Sequence, residues 1–129
     1  MIVLDENIDA DQRESLRRRR LHVQQIGRDV SRRGTQDPDI FPLLQRLSRP
    51  TFFTRDLRLH SRHLCHPRYG VVVLAVDKSE VAAFVRRVLA HPAFAQARNR
   101  MGKVVLASHD GLRYWRLHTT AEERLPWRP

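Results

Sequence analysis

The stretch at residues 70–76 constrains the fold most, because it is an unbroken run of apolar residues that is rich in valine. A strand of a parallel sheet whose two faces are both buried has such a sequence, whereas a strand with one solvent-exposed face alternates apolar and polar residues. Residues 78–91 follow at once, with Ser79 as a candidate cap and with apolar side chains such as Val81 and Val85 at helical spacing. A buried strand that leads directly into an amphipathic helix predicts a parallel α/β sheet.

The chain begins with the same pattern. Residues 1–4 form a short apolar run that ends at Asp5. Asp9 is a favourable helix N-cap and Gln12 stands at the spacing of a capping box, so a strand followed by a helix over residues 9–20 is predicted. In parallel α/β sheets the ligand site lies beyond the carboxyl ends of the strands, which is where Asp5 is expected.

Strands and helices continue to alternate along the chain, and a hairpin closes it. The pair Asp110-Gly111 between two strand-like runs is the signal for that hairpin. The other predicted elements are strands at residues 22–26 and 51–54, a short helix at 57–64, a turn or short helix at 92–100, and hairpin strands at 104–107 and 112–117.

The helix between the second and third strands has two candidate starting points. Asp37 as the cap places Pro38 well but leaves Pro42 deep in the helix, whereas Asp39 as the cap puts Pro42 in the tolerated first turn. Asp39 is the preferred cap, and this choice leaves the Asp37 side chain available for another role.

This alternation predicts a three-layer α/β/α domain with a mainly parallel sheet and a C-terminal β-hairpin. A single domain is expected over residues 1–120, followed by a flexible C-terminal tail at 121–129. The expected strand order is 2-1-3-4, which places the first and third strands side by side. Asp5 and Asp56, which end those two strands, should then meet in one crevice.

Arginine dominates the charge of the chain. The net charge is +10 and the pI is about 11.4, and because only Lys78 and Lys103 are lysine, 22 of the 24 basic residues are arginine. The planar guanidinium matches phosphate oxygens, so a nucleic-acid partner is favoured, with an acidic protein partner or an arginine-rich genome as alternatives. The lone Cys65 excludes an internal disulfide, and the lack of a long apolar run leads us to expect a cytoplasmic protein with no membrane partner.

Asp5, Asp37 and Asp56 are the residues expected to carry chemistry. Carboxylates that are packed together repel one another, and a divalent cation removes that conflict. Hard oxygen ligands in an open site favour Mg²⁺ or Mn²⁺, which can activate a water and stabilise charge on a transferring phosphoryl group. Each aspartate also has a structural explanation, as a helix cap or as an acceptor in its loop. Their expected placement at one sheet edge favours the functional explanation for the trio.

Three short motifs occur in this order: Leu-Asp-Glu-Asn at 4–7, Gly-Thr-Gln-Asp-Pro-Asp-Ile at 34–40 and Phe-Thr-Arg-Asp at 53–56. Together with the closing hairpin at 103–117, they resemble the small bacterial PIN-like proteins, a family similar to the ribonuclease toxins of toxin–antitoxin pairs. The resemblance implies a compact PIN nuclease fold, Mg²⁺- or Mn²⁺-dependent cleavage of RNA, and a cognate antitoxin protein. It also suggests a homodimer.

Carried onto this chain, the resemblance assigns metal binding and catalysis to Asp5, Asp37 and Asp56. Thr54 matches the threonine of the family's Thr-x-Asp motif, which holds the loop or touches phosphate. The candidate substrate-binding residues are polar or basic side chains expected near the acids, namely Asn7, Arg32, Arg33, Thr54 and Arg55.

The chain departs from the family pattern at two points. The family supplies a further acid, usually a glutamate from a helical region that this chain lacks, and Glu6 and Asp39 are the candidate substitutes as metal ligands. The Thr-x-Asp motif is also often followed two residues later by another aspartate, where this chain has Arg58. The alternative function is therefore a catalytically weakened PIN-like module that binds RNA or a cognate protein without cleaving it.

Two further alternatives carry less weight. A phosphoacceptor receiver domain also has acids after its first and third strands, but Lys103 precedes the last parallel strand, where that class needs a lysine after it. A second cluster contains residue types that bind zinc but lacks the paired partner cluster of structural zinc sites, so a basic helix is preferred there. Its members are His60, His63, Cys65 and His66.

Overall fold

Seven strands form one sheet in the computed structural model, which describes residues 1–30 and 37–128, with side chains described for 1–30 and 39–128. The strands are β1 (Ile2–Leu4), β2 (Val23–Gln25), β3 (Thr51–Thr54), β4 (Gly70–Leu74), β5 (Lys103–Ser108), β6 (Gly111–Arg116) and β7 (Glu123–Leu125). Their order is β2-β1-β3-β4-β5-β6-β7, with β1 to β5 parallel and β6 and β7 antiparallel. The predicted order 2-1-3-4, the mainly parallel sheet and the closing hairpin are confirmed.

Short helices connect the parallel strands. The α-helices are α1 (Ala10–Arg18), α2 (Asp37–Arg46), α3 (Val81–Ala90) and α4 (Ala97–Arg100), and single 3₁₀ turns lie at Leu57–Leu59, Arg62–Leu64 and Lys78–Glu80. The short helix predicted at residues 57–64 is thus two separate 3₁₀ turns. Within the described ranges, no helix has the length and apolar character needed to cross a membrane.

Adjacent residues of the central strands face opposite sides of the sheet, because side chains alternate along a strand. Leu4 and Phe53 are buried in an apolar cluster with residues of α1 and α3. Val3 and Phe52 are buried in a second cluster with Leu44 of α2. The sheet therefore lies between two apolar layers, and this α/β arrangement is compatible with the predicted three-layer α/β/α fold.

The predicted capping box at Asp9 and Gln12 is wrong, although Asp9 is the N-cap residue of α1. The Asp9 side chain makes no cap hydrogen bond within the described residues. Gln12 is buried, and its Oε1 accepts a hydrogen bond of 2.9 Å from the backbone N–H of Ala82 in α3. A tertiary contact between the two helices has replaced the local one.

The cap ahead of α3 is Asp77, and the predicted cap at Ser79 is wrong. The Asp77 carboxylate accepts a hydrogen bond of 3.0 Å from the Ser79 N–H. Glu80 Oε1 accepts in return from the Asp77 N–H at 3.1 Å, which completes a capping box. The strand–helix junction that the sequence predicted is therefore capped two residues earlier than expected.

The preferred cap at Asp39 is also wrong, because α2 already begins at Asp37. Pro42 lies inside the helix and lacks the N–H that would continue the hydrogen-bond ladder. The buried side chains of Ile40 and Leu44 on the apolar face of α2 compensate for this lost bond.

The last strand, β7, lies in the segment predicted to be a flexible tail. Leu112 of β6 pairs with Leu125 of β7. The indole Nε1 of Trp127 donates to the Ser108 carbonyl at 2.6 Å, and the guanidinium carbon of Arg87 lies 4.1 Å from the centroid of that ring. These residues pack on the domain, because a third hairpin strand and an aromatic anchor give the segment its own contacts. The mobility of the segment stays a prediction.

Candidate functional site

Asp5 and Asp56 line one cleft at the carboxyl edge of the sheet. β1 and β3 are parallel neighbours, and their residues Leu4 and Phe53 are register partners. The loops that follow the two strands therefore leave the sheet side by side. The cleft has a volume of about 340 Å³, and its lining residues are Asp5, Asn7, Ile8, Arg55, Asp56 and Arg58.

The hydroxyl of Thr54 ties the two acidic loops together. It donates a hydrogen bond of 2.6 Å to Asp5 Oδ2 and accepts one of 3.1 Å from the backbone N–H of Asp56. Thr54 is fully buried. A buried hydroxyl that serves as donor and acceptor at once fixes both neighbours, so Thr54 sets the position of the Asp5 carboxylate relative to the Asp56 backbone. Contact of Thr54 with a substrate stays a prediction.

The buried side chain of Gln25, which was not predicted from the sequence, stabilises the loop after β1 through hydrogen bonds. The carboxamide nitrogen of Gln25 lies 3.0 Å from the carbonyl oxygen of Asp5, 3.3 Å from that of Glu6 and 2.9 Å from that of Ile8. Its oxygen accepts a bond of 2.7 Å from Arg13 Nη1. Gln25 is fully buried although it follows a second glutamine, Gln24, in a three-residue strand, so the sequence carries no signal that could have marked it.

Arg58 forms a bidentate ion pair with Asp56. Its Nε lies 3.0 Å from Asp56 Oδ1 and its Nη2 lies 2.8 Å from Oδ2, and the Arg58 backbone N–H also donates to Oδ1 at 3.0 Å. The hydrogen bonds from Arg58 hold the pKa of Asp56 below its ordinary value, against the raising effect of partial burial. Asp56 is therefore ionised at neutral pH, and both of its oxygens contact a cation supplied by the chain.

The remaining described candidates lie at the rim of the cleft or next to it. Arg55 is anchored at the rim by a bond of 3.0 Å from its Nε to the carbonyl of Val76. Asn7 is exposed and also borders a neighbouring hollow that contains Glu6. The carboxyl group of Glu6 packs on Gly27, where an added Cβ would lie 2.9 Å from that group. Glu6, a candidate substitute ligand, thus lies in the neighbouring hollow and is not among the residues that line the cleft.

The side chains of three predicted site residues lie outside the described part of the structure. Arg32 and Arg33 fall between the two described ranges, and for Asp37 the backbone is described as the first residue of α2 but the side chain is not. Asp39 is exposed on the first turn of α2. The roles of these residues stay predictions.

The donor set of the cleft is suited to a hard cation. No group of three or more His, Cys, Asp or Glu side chains within residues 1–30 and 39–128 is placed to hold a metal ion. The two described carboxylates, of Asp5 and Asp56, fit Mg²⁺ or Mn²⁺, since proteins often hold such ions through one or two carboxylates and leave the remaining positions to water and substrate phosphate.

The histidine and cysteine cluster has separate partners in the structure. His60 Nε2 lies 2.8 Å from Glu122 Oε2, and the His66 ring stacks on Tyr69 with a centroid distance of 5.0 Å. Cys65 Sγ is 3.6 Å from the carbonyl of Trp115, and burial raises the pKa of its thiol. His60 and Cys65 thus contact residues in or next to the C-terminal hairpin, whereas His66 stacks on a residue of its own segment, so these side chains do not gather around one point.

Comparison of the chain with protein-family models, with curated proteins and with solved structures finds no significant match. The fold and the cleft define an α/β protein with an acidic site at the carboxyl edge of its sheet. The resemblance to the PIN-like family rests on the sequence motifs alone and stays a prediction.

Proposed function

We propose that the protein is a metal-dependent endoribonuclease of the PIN-like kind that hydrolyses phosphodiester bonds in the Asp5–Asp56 cleft. The observation that carries this proposal is the Thr54 hydroxyl, which ties the Asp5 carboxylate to the loop of Asp56. Two acids that are far apart in the chain are thereby fixed in one cleft beside arginines. Such an arrangement suits a cation and a phosphate together.

Asp5 and Asp56 would hold Mg²⁺ or Mn²⁺, with Asp37 as the further ligand expected from the sequence. The ion, when bound, supplies an activated water and stabilises charge on the phosphoryl group. Arg55, anchored through Val76, would position a phosphate at the rim, and Asn7 would contact the neighbouring nucleotide. Arg58 would leave Asp56 when the cation enters and would then be available to the substrate.

The biological setting of the proposal comes from the resemblance. RNA is the substrate that it implies, and the net charge of +10 favours a polyanion. The proposed role is that of a toxin in the cytoplasm, held inactive by a cognate antitoxin protein, with the homodimer as the proposed oligomeric state.

Cleavage of labelled single-stranded RNA with Mn²⁺, with Mg²⁺ and with EDTA tests the proposal. We expect cleavage with either metal and none in EDTA, and a loss of more than about 100-fold for Asp56→Asn, since even residues that only support metal ligands cost 10–100-fold. Asp110→Asn is the matched control, because Asp110 is exposed in the hairpin turn and an Asn-Gly pair also suits that turn.

The second candidate function is binding of RNA or of a cognate protein without cleavage. The Arg58–Asp56 ion pair favours it, because the guanidinium already neutralises the carboxylate that a metal would need. A wild-type protein that cleaves nothing with either metal, and that binds RNA in EDTA as tightly as Asp56→Asn does, would support this second function and contradict the first.

A further inference from the structure

Four arginines line a groove at the amino edge of the sheet, opposite the acidic cleft. We call it the arginine groove and define it by Arg46, Arg49, Arg68 and Arg98. It has a volume of about 620 Å³. All four side chains are exposed. The groove is distinct from the run of four arginines at residues 17–20, which lies at the end of α1 beside β2.

The parallel strands bring these arginines together from distant parts of the chain. Arg46 and Arg49 lie in the segment that leads into β3, Arg68 lies two residues before β4, and Arg98 lies in α4 ahead of β5. β3, β4 and β5 are consecutive in the sheet. Segments that enter neighbouring parallel strands meet at one edge, so the fold concentrates charge that the linear sequence scatters.

A buried arginine holds α4 in place beside this groove. Arg100 is 5% exposed, and its Nε donates to Thr51 Oγ1 at 2.8 Å, while its Nη1 donates to the carbonyls of Phe94 at 2.7 Å and Ala95 at 3.1 Å. Gly70 permits the close approach, since an added Cβ there would lie 2.4 Å from the Arg100 carbonyl oxygen. Arg98 is therefore carried on a fixed element.

The positive charge of the groove has no internal counter-charge. The described residues that line it include no acid and no aromatic ring. None of its four arginines forms an ion pair with a carboxylate in the described part of the chain, and Arg68 instead donates to the carbonyl of Gln45 at 3.4 Å. Guanidinium groups that are concentrated without acids repel one another, and a polyanion relieves this repulsion.

We propose that the arginine groove binds the sugar–phosphate backbone of a polynucleotide. The guanidinium forks match phosphate oxygens in pairs. Contacts to phosphate carry no sequence information, so binding should be independent of sequence. The described lining residues include no aromatic ring, so the groove offers no stacking surface for bases. This site is separate from the acidic cleft, and it does not depend on metal binding or on cleavage.

The test measures binding in EDTA by fluorescence anisotropy over a series of salt concentrations. The probes are a labelled oligouridylate, a labelled oligothymidylate and a labelled polyglutamate. The test variant is Arg46→Gln/Arg98→Gln, and the control is Arg124→Gln/Arg128→Gln, which removes the same charge from exposed sites outside the groove. Circular dichroism melts establish that both variants are folded.

The groove variant should bind the oligonucleotides about tenfold more weakly than the wild type, and the magnitude of its log–log salt slope should fall by about 1.4, which is about 0.7 for each lost contact with a single strand. The control should stay within about twofold of the wild type. A loss for oligouridylate alone would restrict the ligand to RNA, whereas equal losses for both probes would extend it to DNA.

Two results would overturn the proposal. Equal losses in the groove variant and the control would show that only the total charge matters. A loss of polyglutamate binding with unchanged oligonucleotide binding would show that the groove receives an acidic protein. Because every measurement is made in EDTA, an inactive acidic cleft would leave these outcomes unaffected.

Discussion

The two edges of the sheet carry charge in opposite ways. At the carboxyl edge, both aspartates have hydrogen-bond donors within the chain. Asp5 accepts a hydrogen bond from Thr54, and Asp56 forms a bidentate ion pair with Arg58. At the amino edge, the arginine groove concentrates guanidinium groups, with no acid among its described lining residues. The same parallel strands thus place a cleft that mixes aspartates with arginines at one edge and a groove lined by arginines at the other. The difference lies in which charged residues follow the strands and which precede them.

One buried polar side chain organises each edge. Gln25 binds the carbonyls of the loop that carries Asp5, and Arg100 binds Thr51 and the carbonyls ahead of α4. Burial lowers the pKa of Arg100, which is the expected direction for a cation removed from water. In both places a buried side chain donates to backbone carbonyls of a loop.

The largest effect on stability is expected from Gln25→Leu. The substitution keeps most of the volume but removes the donors to the carbonyls of Glu6 and Ile8 and the acceptor for Arg13, so the free energy of unfolding should fall by about 2–4 kcal/mol. Urea denaturation measures this change. Gln24→Leu, on the same strand and only partly buried, is the control and should change stability by less than about 1 kcal/mol. Equal losses in the two variants would contradict the role given to Gln25.

Thr54→Val should cause a smaller loss of stability than Gln25→Leu. It should also reduce metal-dependent cleavage at the carboxyl edge of the sheet. The Asp5 carboxylate loses a donor and the Asp56 N–H loses its acceptor, at a cost of about 1–3 kcal/mol. Metal-dependent cleavage should fall by about 10–100-fold, while oligonucleotide binding in EDTA stays unchanged. Thr120→Val, at an exposed position, is the control. A cleavage rate equal to that of the wild type would show that Thr54 does not position the acids.

The smallest effect is expected from Arg58→Gln. Arg58 is 82% exposed, so its ion pair with Asp56 should contribute less than about 1 kcal/mol at pH 7. Because the pKa of folded Asp56 is lowered, this contribution is present above the ordinary Asp pKa of about 3.9 and is lost as the pH falls through the lower folded value. The wild type and the variant should therefore differ in urea denaturation at pH 7 and converge in acid, once the pH lies below the lowered pKa of folded Asp56. A difference that persists in acid would mean that Arg58 stabilises the fold through other contacts.

The first six strands and the order of the first four follow from the sequence, because apolar runs bounded by polar or turn residues leave few alternatives. The run that begins at Gly70 is buried throughout the strand Gly70–Leu74, and the polar ends of β1 and β3 predicted that Asp5 and Asp56 would share a cleft. Local capping was predicted less well. Gln12 lies at the right spacing for a capping box, but burial against α3 gives its side chain a stronger partner at Ala82.

Other features of the structure could not be predicted, because the sequence carries no distinct pattern for them. Gln25 is one of two glutamines in a three-residue strand, and only the fold shows that three carbonyls surround it. Arg58 was visible as a departure from the motif, but its ion pair with Asp56 depends on a tight turn of the backbone. The segment that forms β7 is three residues long and has no alternation that distinguishes it from a loop.

Electron paramagnetic resonance titration with Mn²⁺ tests most directly the proposal that Asp5 and Asp56 share one cation. Wild type, Asp5→Asn, Asp56→Asn and the double variant are compared, with Asp110→Asn as the control. If both carboxylates hold one ion, each single change should weaken binding by at least about tenfold, and the double change should cost less than the sum of the two. Unchanged affinity in either single variant, or strictly additive losses, would contradict a site shared by the two aspartates.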